Sequence, residues 1–415
     1  MTVTIKKGGV LKGNVSVCAS KSEAHRLLIC AFLSFARTEI ICKELSEDIE
    51  ATADCIRAAG ASVSFENGVI TVDSSGARDY FENAPVTLDC NESGSTLRFI
   101  IPVMCALGID CTFTGRGRLP ERTNRPLIEV LSEKGCSFDK EDGLPLRTQG
   151  QLASGVYEIP GNISSQYISG LLFALPLLSG DSLIKITGTI ESKPYIMITL
   201  EALEKFGIRA EFSRERSQIL VKGGQKYVSP GKVKVCGDWS NGAFWLVASE
   251  LTKGNVTCDN LSLPTKQGDS EIINIIEILK ARRQCVKINA SQFPDLVPII
   301  SVMAAAGNGK TVVWGAERLK IKESNRIESV VNMIKALGGN AVETEDGIIV
   351  EGSGSLKGGV VNAFGDHRIV MSAAVASIIC DGDVAIKGAE AVRKSYPTFF
   401  DEFELLGGNI ERSDT

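Results

Sequence analysis

The residues best suited to chemistry gather where apolar runs begin. Six such starts carry small polar or charged side chains: Lys21, Ser22 and Arg26; Ser93, Gly94, Ser95 and Arg98; Ser164, Ser165 and Gln166; Asp238; Asp295; and Asp366, His367 and Arg368. A helix N-terminus presents unpaired N–H groups and the positive end of the helix dipole. Serine and glycine there, backed by lysine or arginine, suit a phosphate or carboxylate. Serine and aspartate are also ordinary N-caps, so it is the recurrence that points to binding. Further basic residues stand in loops marked by glycine and proline: Arg116-Gly-Arg118-Leu-Pro-Glu-Arg122-Thr-Asn-Arg125, Arg318-Leu-Lys320-Ile-Lys322-Glu323-Ser-Asn-Arg326, and Arg393-Lys394. Arginine offers a bidentate fork to small multiply charged anions. Asp295 and Glu323 are the acids placed beside these clusters to move protons. His25 and His367 each precede an arginine at a helix start and suit a supporting contact to it. The chemistry implied is acid–base work on bound anions.

Those starts must be positioned by something regular, and the chain repeats itself. One series is the apolar helix that opens on the residues above, in six copies. The second is an amphipathic helix that stops at glycine and runs into an alternating strand. Its copies are Asp54 to Phe65, Leu127 to Phe138, Ile198 to Phe212, Ile272 to Ile288, Ile327 to Val342 and Phe399 to Ile410, with stops at Gly60, Gly135, Gly207, Gly338 and Gly407. In the fourth copy Arg283 stands at the stop. Units recur at roughly 70–75 residues, with one shorter interval near the fourth, and each reads strand, helix, strand, helix and two strands. A period that long is a folded module, so the expectation is an α/β protein of six βαβαββ units. Three units per domain predict one domain over 13–226 and a second formed by 1–12 plus 227–415. The opening strand, Thr2 to Ile5, has no partner in the first unit and is expected to complete the second domain.

The composition narrows the class. The 415 residues are 44% hydrophobic and 23% charged, with 45 Lys plus Arg against 50 Asp plus Glu and a net charge of −5. This is ordinary globular composition without a run of like charge, which disfavours nucleic-acid and membrane-surface partners. No apolar stretch reaches the ~20 residues of a membrane span, and no signal peptide is evident, so a cytoplasmic protein is expected. The 12 cysteines form no CxxC pair, and two histidines are too few for a His-rich metal site. Dinucleotide, Walker A and HExxH signatures are missing, and no Ser or Cys stands in a recognisable nucleophile setting.

The chain resembles the 5-enolpyruvylshikimate-3-phosphate synthases from end to end. The stretches that carry the resemblance are Ser20-Lys-Ser-Glu-Ala-His-Arg26, Glu92-Ser-Gly-Ser-Thr-Leu-Arg98, Gly161-Asn-Ile-Ser-Ser-Gln166, Glu191-Ser-Lys-Pro-Tyr195, Phe293-Pro-Asp295, Lys320-Ile-Lys-Glu-Ser-Asn-Arg326, Asp366-His-Arg368 and Lys394-Ser-Tyr-Pro397. The resemblance implies the two-domain enolpyruvyl transferase fold, an inside-out α/β barrel with its active site in the cleft between the domains. It implies transfer of the enolpyruvyl group of phosphoenolpyruvate to the 5-hydroxyl of shikimate 3-phosphate through a tetrahedral adduct, by a monomer using no metal and no organic cofactor. Carried over by position, Lys21, Ser22, Arg26, Ser164, Ser165, Gln166, Ser192, Tyr195, Asp295 and Lys322 would bind shikimate 3-phosphate. Lys21, Gly94, Arg122, Gln166, Arg326, Arg368 and Lys394 would hold phosphoenolpyruvate. Asp295 would take the 5-hydroxyl proton, and Glu323 or Lys21 would protonate the methylene carbon. With ligands divided between the halves, closure on binding both substrates is expected.

Departures from the family pattern are Glu92-Ser-Gly-Ser95 in place of Asn-Ala-Gly-Thr, Phe99 for the usual proline, and Thr123 for the proline after Arg122. An ungapped alignment selects Arg122 for the phosphoenolpyruvate clamp, whereas one gap selects Arg125. The sister transferase acting on UDP-N-acetylglucosamine differs by Lys-Asn at the first helix and a reactive Cys loop, against Lys21-Ser22 and a Cys-free Arg116 to Arg125 loop here. A non-catalytic anion-binding paralogue would have no need of Asp295, Lys322 and Glu323 together.

Overall fold

Ser20 accepts a hydrogen bond from the Glu23 backbone N–H, and Ser93, Ser164, Asp238 and Asp366 start their helices in the same way. The computed structural model describes residues 1–77, 86–213, 215–281 and 284–413. Its helices are α1 (Lys21–Leu33), α2 (Glu47–Ala58), α3 (Gly94–Leu107), α4 (Arg125–Ser132), α5 (Ser165–Ala174), α6 (Lys193–Lys205), α7 (Trp239–Leu251), α8 (Ile272–Lys280), α9 (Val297–Ala306), α10 (Arg326–Ala336), α11 (His367–Ala376) and α12 (Phe399–Leu405). Odd-numbered helices are apolar around most of their circumference and are buried. Even-numbered helices bury one face, as their amphipathic pattern requires. Each glycine named as a stop in the second series has a left-handed φ, from +78° at Gly207 to +101° at Gly135 and Gly407. That conformation strains any residue with a Cβ and ends the helix. Arg283 lies outside the described residues.

Two compact units divide the chain: one is Ala19–Val235, the other Met1–Cys18 with Cys236–Thr415. The boundaries fall six and nine residues beyond the expected ones, and strand pairing is the reason. Gly13–Ser16, expected in the first domain, pairs in parallel with Val256–Asp259. Lys232–Lys234, expected in the second, pairs in parallel with Arg37–Ile41.

In the Ala19–Val235 unit, three four-stranded sheets share one pattern, a parallel pair extended by an antiparallel hairpin. Val86–Asp89 lies beside Cys111–Thr114, then Leu146–Gly150 and Cys136–Phe138. Helices α1, α3 and α5 pack inside this unit. Proline at 102 has no N–H for the Arg98 carbonyl four residues back, and Gly170 of α5 lies against that carbonyl. A Cβ at Gly170 would stand 2.2 Å from the Arg98 oxygen, so the contact between α3 and α5 requires glycine.

The other unit encloses its own core around α7, α9 and α11. Two of its sheets are four-stranded, and Thr2–Ile5 completes one by pairing antiparallel with both Val384–Lys387 and Ile410–Ser413. The fourth repeat departs from expectation: Gly13–Ser16 and Val256–Asp259 form a two-stranded sheet. The strand after α8, Cys285–Asn289, pairs with Asn308–Trp314 and therefore opens the fifth repeat. A missing hairpin accounts for the short interval in the sequence. No described helix is long and apolar enough to cross a membrane.

Candidate active site

In the Ala19–Val235 unit, the N-termini of α1, α3 and α5 carry residues that the sequence offered as anion-binding candidates. Lys21 Nζ lies 2.9 Å from Asp48 Oδ2 on α2. Arg26 is buried among neutral acceptors: Nε donates to Thr199 Oγ1 at 2.7 Å, and its terminal nitrogens reach the Ser22 and Tyr195 carbonyls and Ser169 Oγ. Its guanidinium stacks 4.9 Å from the Phe99 ring centre. Burial lowers its pKa to about 10, still charged at neutral pH. A buried cation bonded only to neutral acceptors favours an incoming anion. Phe99, the departure from the family's proline, thus supplies an aromatic face to this arginine.

Gln166 is held at both ends of its amide. Its Nε2 donates to Ser95 Oγ at 2.8 Å, and Oε1 accepts from Arg98 at 2.7 Å. Arg98 also donates to Asn124 Oδ1 and the Thr123 carbonyl, so one buried guanidinium fixes Gln166 and the loop after Arg122 together. The sequence pattern placed Arg98 at a helix start without showing this role, because its partners are 25 to 68 residues away. The Thr123 hydroxyl and the Asn124 N–H bond Asp142, which anchors the loop where relatives have proline.

That loop separates the two candidate arginines. A Cβ on Gly94 would meet Arg122 at 2.9–3.2 Å, so the Arg122 guanidinium lies directly over the start of α3. The Arg125 side chain is 54% exposed and paired with Glu129 and Glu141. Ser164 caps α5, and Ser165 is buried in its first turn. Ser192 is buried at φ +51°, ψ +38°, a sparsely populated conformation for a residue with a Cβ, one residue before α6 and three before Tyr195.

His25 supports this unit from behind. Its Nδ1 is 2.6 Å from Thr52 Oγ1, which lies 2.7 Å from Thr96 Oγ1, which in turn bonds the capping Ser93 Oγ at 2.8 Å. Burial pushes the imidazole down to about 3, so it is neutral. The chain of hydroxyls ties α1, α2 and the start of α3 into one rigid set.

The other unit gathers acids and cations. Asp295 sits in the single turn before α9, its side chain 15% exposed. Arg326 NH1 donates to Asp295 Oδ1 at 2.7 Å, Arg368 NH2 stands 3.5 Å from Oδ2, and Lys322 Nζ is 4.0 Å from Oδ1. Burial raises the Asp295 pKa, but Arg368, Lys322 and Arg326 outweigh it and hold the carboxyl well below the usual range. Burial lowers Lys322 to about 8 despite the opposing pull of Asp295 and Glu323. Asp269, not singled out by the sequence, is raised to about 7 by burial and by the Asp295 charge. Lys394 is buried at the end of a short helical turn, Ala389–Lys394.

Arg326 is shared among three carboxylates. Its side chain is 1% exposed, and it donates to Asp366 at 2.8 and 3.2 Å, Asp295 at 2.7 Å and Glu323 at 2.6 Å. Three carboxylates take four of its five N–H groups, leaving one for a substrate. The spacing of the Lys320 to Arg326 motif could not show that Asp295 and Asp366 converge on it. Among the described residues no group of three or more His, Cys, Asp or Glu side chains could hold a metal ion.

Comparison with known proteins identifies the family. Residues 5–403 match the family described as EPSP synthase (3-phosphoshikimate 1-carboxyvinyltransferase). A 3-phosphoshikimate 1-carboxyvinyltransferase from Clostridium kluyveri is 40% identical, covering 97% of this chain and 96% of its own length. One from Clostridium acetobutylicum is 39% identical, covering 96% of each. The solved EPSP synthase from Acinetobacter baumannii superposes with a TM-score of 0.81 at 25% identity over the whole of both chains. On the family match and these full-length relatives together, the chain belongs to the EPSP synthase family.

Proposed function

We propose that this chain transfers the carboxyvinyl group of phosphoenolpyruvate to the 5-hydroxyl of shikimate 3-phosphate, releasing phosphate, in the shikimate pathway towards chorismate and the aromatic amino acids. The observation that carries the reading is the Asp295 carboxylate, kept ionised by Arg326, Arg368 and Lys322 and therefore able to accept a proton. Asp295 takes the proton of the 5-hydroxyl as that oxygen bonds C2 of phosphoenolpyruvate, and Lys21 or Glu323 protonates the methylene carbon. The tetrahedral adduct then returns a methyl proton to the group that protonated the methylene carbon and the phosphate leaves, restoring the double bond. Developing charge is met by preorganised cations. Lys21, Ser22, Arg26, Ser164, Ser165, Gln166, Ser192, Tyr195 and Lys322 hold shikimate 3-phosphate. Lys21, Gly94, Arg122, Gln166, Arg368, Lys394 and the remaining N–H of Arg326 hold phosphoenolpyruvate. The position of Arg122 over Gly94 favours it over the exposed, ion-paired Arg125. In this reading the enzyme is a cytoplasmic monomer that binds its anionic substrates with side chains and backbone alone, without nucleic acid or membrane.

The test is phosphate release from purified protein supplied with phosphoenolpyruvate and either shikimate 3-phosphate or UDP-N-acetylglucosamine. Release with shikimate 3-phosphate only is expected. Release with neither acceptor, alongside tight binding of shikimate 3-phosphate, would overturn the transfer reading and leave a binding protein.

Two variants probe the assignments. In Gly94→Ala the new methyl group presses on the Arg122 guanidinium, which must shift by a few tenths of an ångström. KM for phosphoenolpyruvate should rise roughly tenfold while KM for shikimate 3-phosphate stays within about twofold. Equal changes in both would separate Arg122 from phosphoenolpyruvate. Lys322 sets the alkaline limit: with its pKa lowered to about 8, its charge is present below that pH and lost above it. In a pH profile of kcat/KM, activity should fall as pH rises through about 8. Lys322→Arg stays protonated and should move that limb upward, whatever its absolute rate. A limb unmoved in the variant would belong to another group.

A further inference from the structure

Lys394 is followed by Ser395 and Tyr396, and all three are buried. This strap is fixed to one face of α7 at two successive residues. Asn241 Nδ2 donates to the Ser395 carbonyl at 3.3 Å, and Asn241 Oδ1 accepts from the Ser395 hydroxyl at 3.2 Å. The carbonyl can only accept, so the orientation of the amide is determined. Nδ2 also donates to Cys18 Sγ at 3.3 Å. Both amide donors and its oxygen are therefore satisfied inside the protein, which makes the contact costly to break. One turn along α7, Trp245 Nε1 donates to Tyr396 Oη at 3.0 Å, and that hydroxyl donates to Glu402. Asn241 is itself anchored, since its backbone N–H donates to the capping Asp238 Oδ1 at 2.8 Å.

We propose that Asn241 is a positioning residue for phosphoenolpyruvate binding: by gripping Ser395 through both its carbonyl and its hydroxyl, it fixes where the Lys394 ammonium stands. This rests on the reading of Lys394 as a phosphoenolpyruvate ligand. Lys394 is buried, which limits how far its side chain can re-aim, so a shift of the backbone that carries it displaces the ammonium. Asn241 provides that constraint from a rigid helix.

The experiment measures KM for each substrate in Asn241→Ala, Lys394→Met and the double variant. Asn241→Ala should raise KM for phosphoenolpyruvate roughly tenfold and leave KM for shikimate 3-phosphate within about twofold. In the Lys394→Met background the same replacement should add almost nothing, because its effect is transmitted through the missing ammonium. If Lys394→Met leaves phosphoenolpyruvate binding unchanged, the reading of Lys394 fails and the inference with it. If Lys394→Met weakens binding but Asn241→Ala does not, or if the two effects add in the double variant, the positioning role is overturned while the Lys394 reading stands. Should Asn241→Ala not fold, Ser395→Ala carries the same comparison, removing only the hydroxyl and giving a smaller shift of about threefold. Ser395→Thr, which keeps the hydroxyl, should restore binding.

Discussion

Asp295→Asn is expected to reduce kcat by about 10²–10⁴-fold while the protein stays folded and still binds shikimate 3-phosphate. The asparagine side chain matches the carboxylate in shape and keeps an oxygen for the 2.7 Å bond from Arg326, so the fold should persist at reduced stability, without the contribution of the ionised carboxylate. What it lacks is the basicity to take a proton from the 5-hydroxyl. The unaltered enzyme should also show no acid limb assignable to Asp295 in the ordinary carboxylate range. Burial opposes its charge, but Arg368, Lys322 and Arg326 hold the carboxyl well below that range, so it is ionised throughout neutral and mildly acidic pH. Phosphate release and equilibrium binding of shikimate 3-phosphate, measured on the same preparation, check the prediction. Turnover within about tenfold of the parent would show that another group accepts the proton.

The fold was written in periodic features, and those are short-range. A glycine stop followed by an alternating strand is a local instruction, and the named glycines adopt the left-handed φ that such stops require. The capping residues of α1, α3, α5, α7 and α11 are likewise local, since each satisfies an N–H two or three positions along. Pairing between distant segments is not local. Nothing near Gly13 signals that its strand joins Val256–Asp259, nor near Lys232 that its strand joins Arg37–Ile41, and those two pairings go with the two shifted boundaries. The same division runs through the site. Lys21 and Arg368 could be read as candidates because cations at helix starts suit anions, and Asp295 because an acid beside basic clusters can move a proton. The roles of Arg98 and Asn241 could not be read, because they depend on partners brought together only by folding. Arg326 shows the limit most clearly: as a member of a basic motif it reads as an anion clamp, and nothing in that motif shows that it is also the counterion of Asp295, Glu323 and Asp366.

That surrounding makes Arg326→Met the most disruptive single replacement expected in the site. Methionine fills much of the volume but leaves Asp366, Glu323 and Asp295 without the guanidinium that binds all of them. Arg368 and Lys322 still face Asp295, at 3.5 and 4.0 Å, so the loss falls hardest on Asp366, which is fully buried. Removing one partner of a buried ion pair typically costs about 3–5 kcal/mol, because the other charge remains desolvated. Denaturant unfolding at neutral pH should show a loss of that size, and turnover should vanish with it because Asp295 and Glu323 are no longer fixed. The pH dependence separates this cause from a simple packing defect. In the parent, the depressed Asp295 contributes stability that is present above the ordinary carboxylate range and lost as pH falls through its folded value. In the variant, the folded state relieves an uncompensated buried charge by taking up a proton, and so binds more protons than the unfolded chain. Relative to the parent, in which Asp269 already titrates near 7, its stability should therefore gain as pH is lowered from about 7 to 5. A variant whose stability follows the parent's slope over that range would mean that Arg326 fills space and does not neutralise the three carboxylates. Arg326→Lys keeps one charge but cannot fork to three acceptors, and its stability should fall between the two.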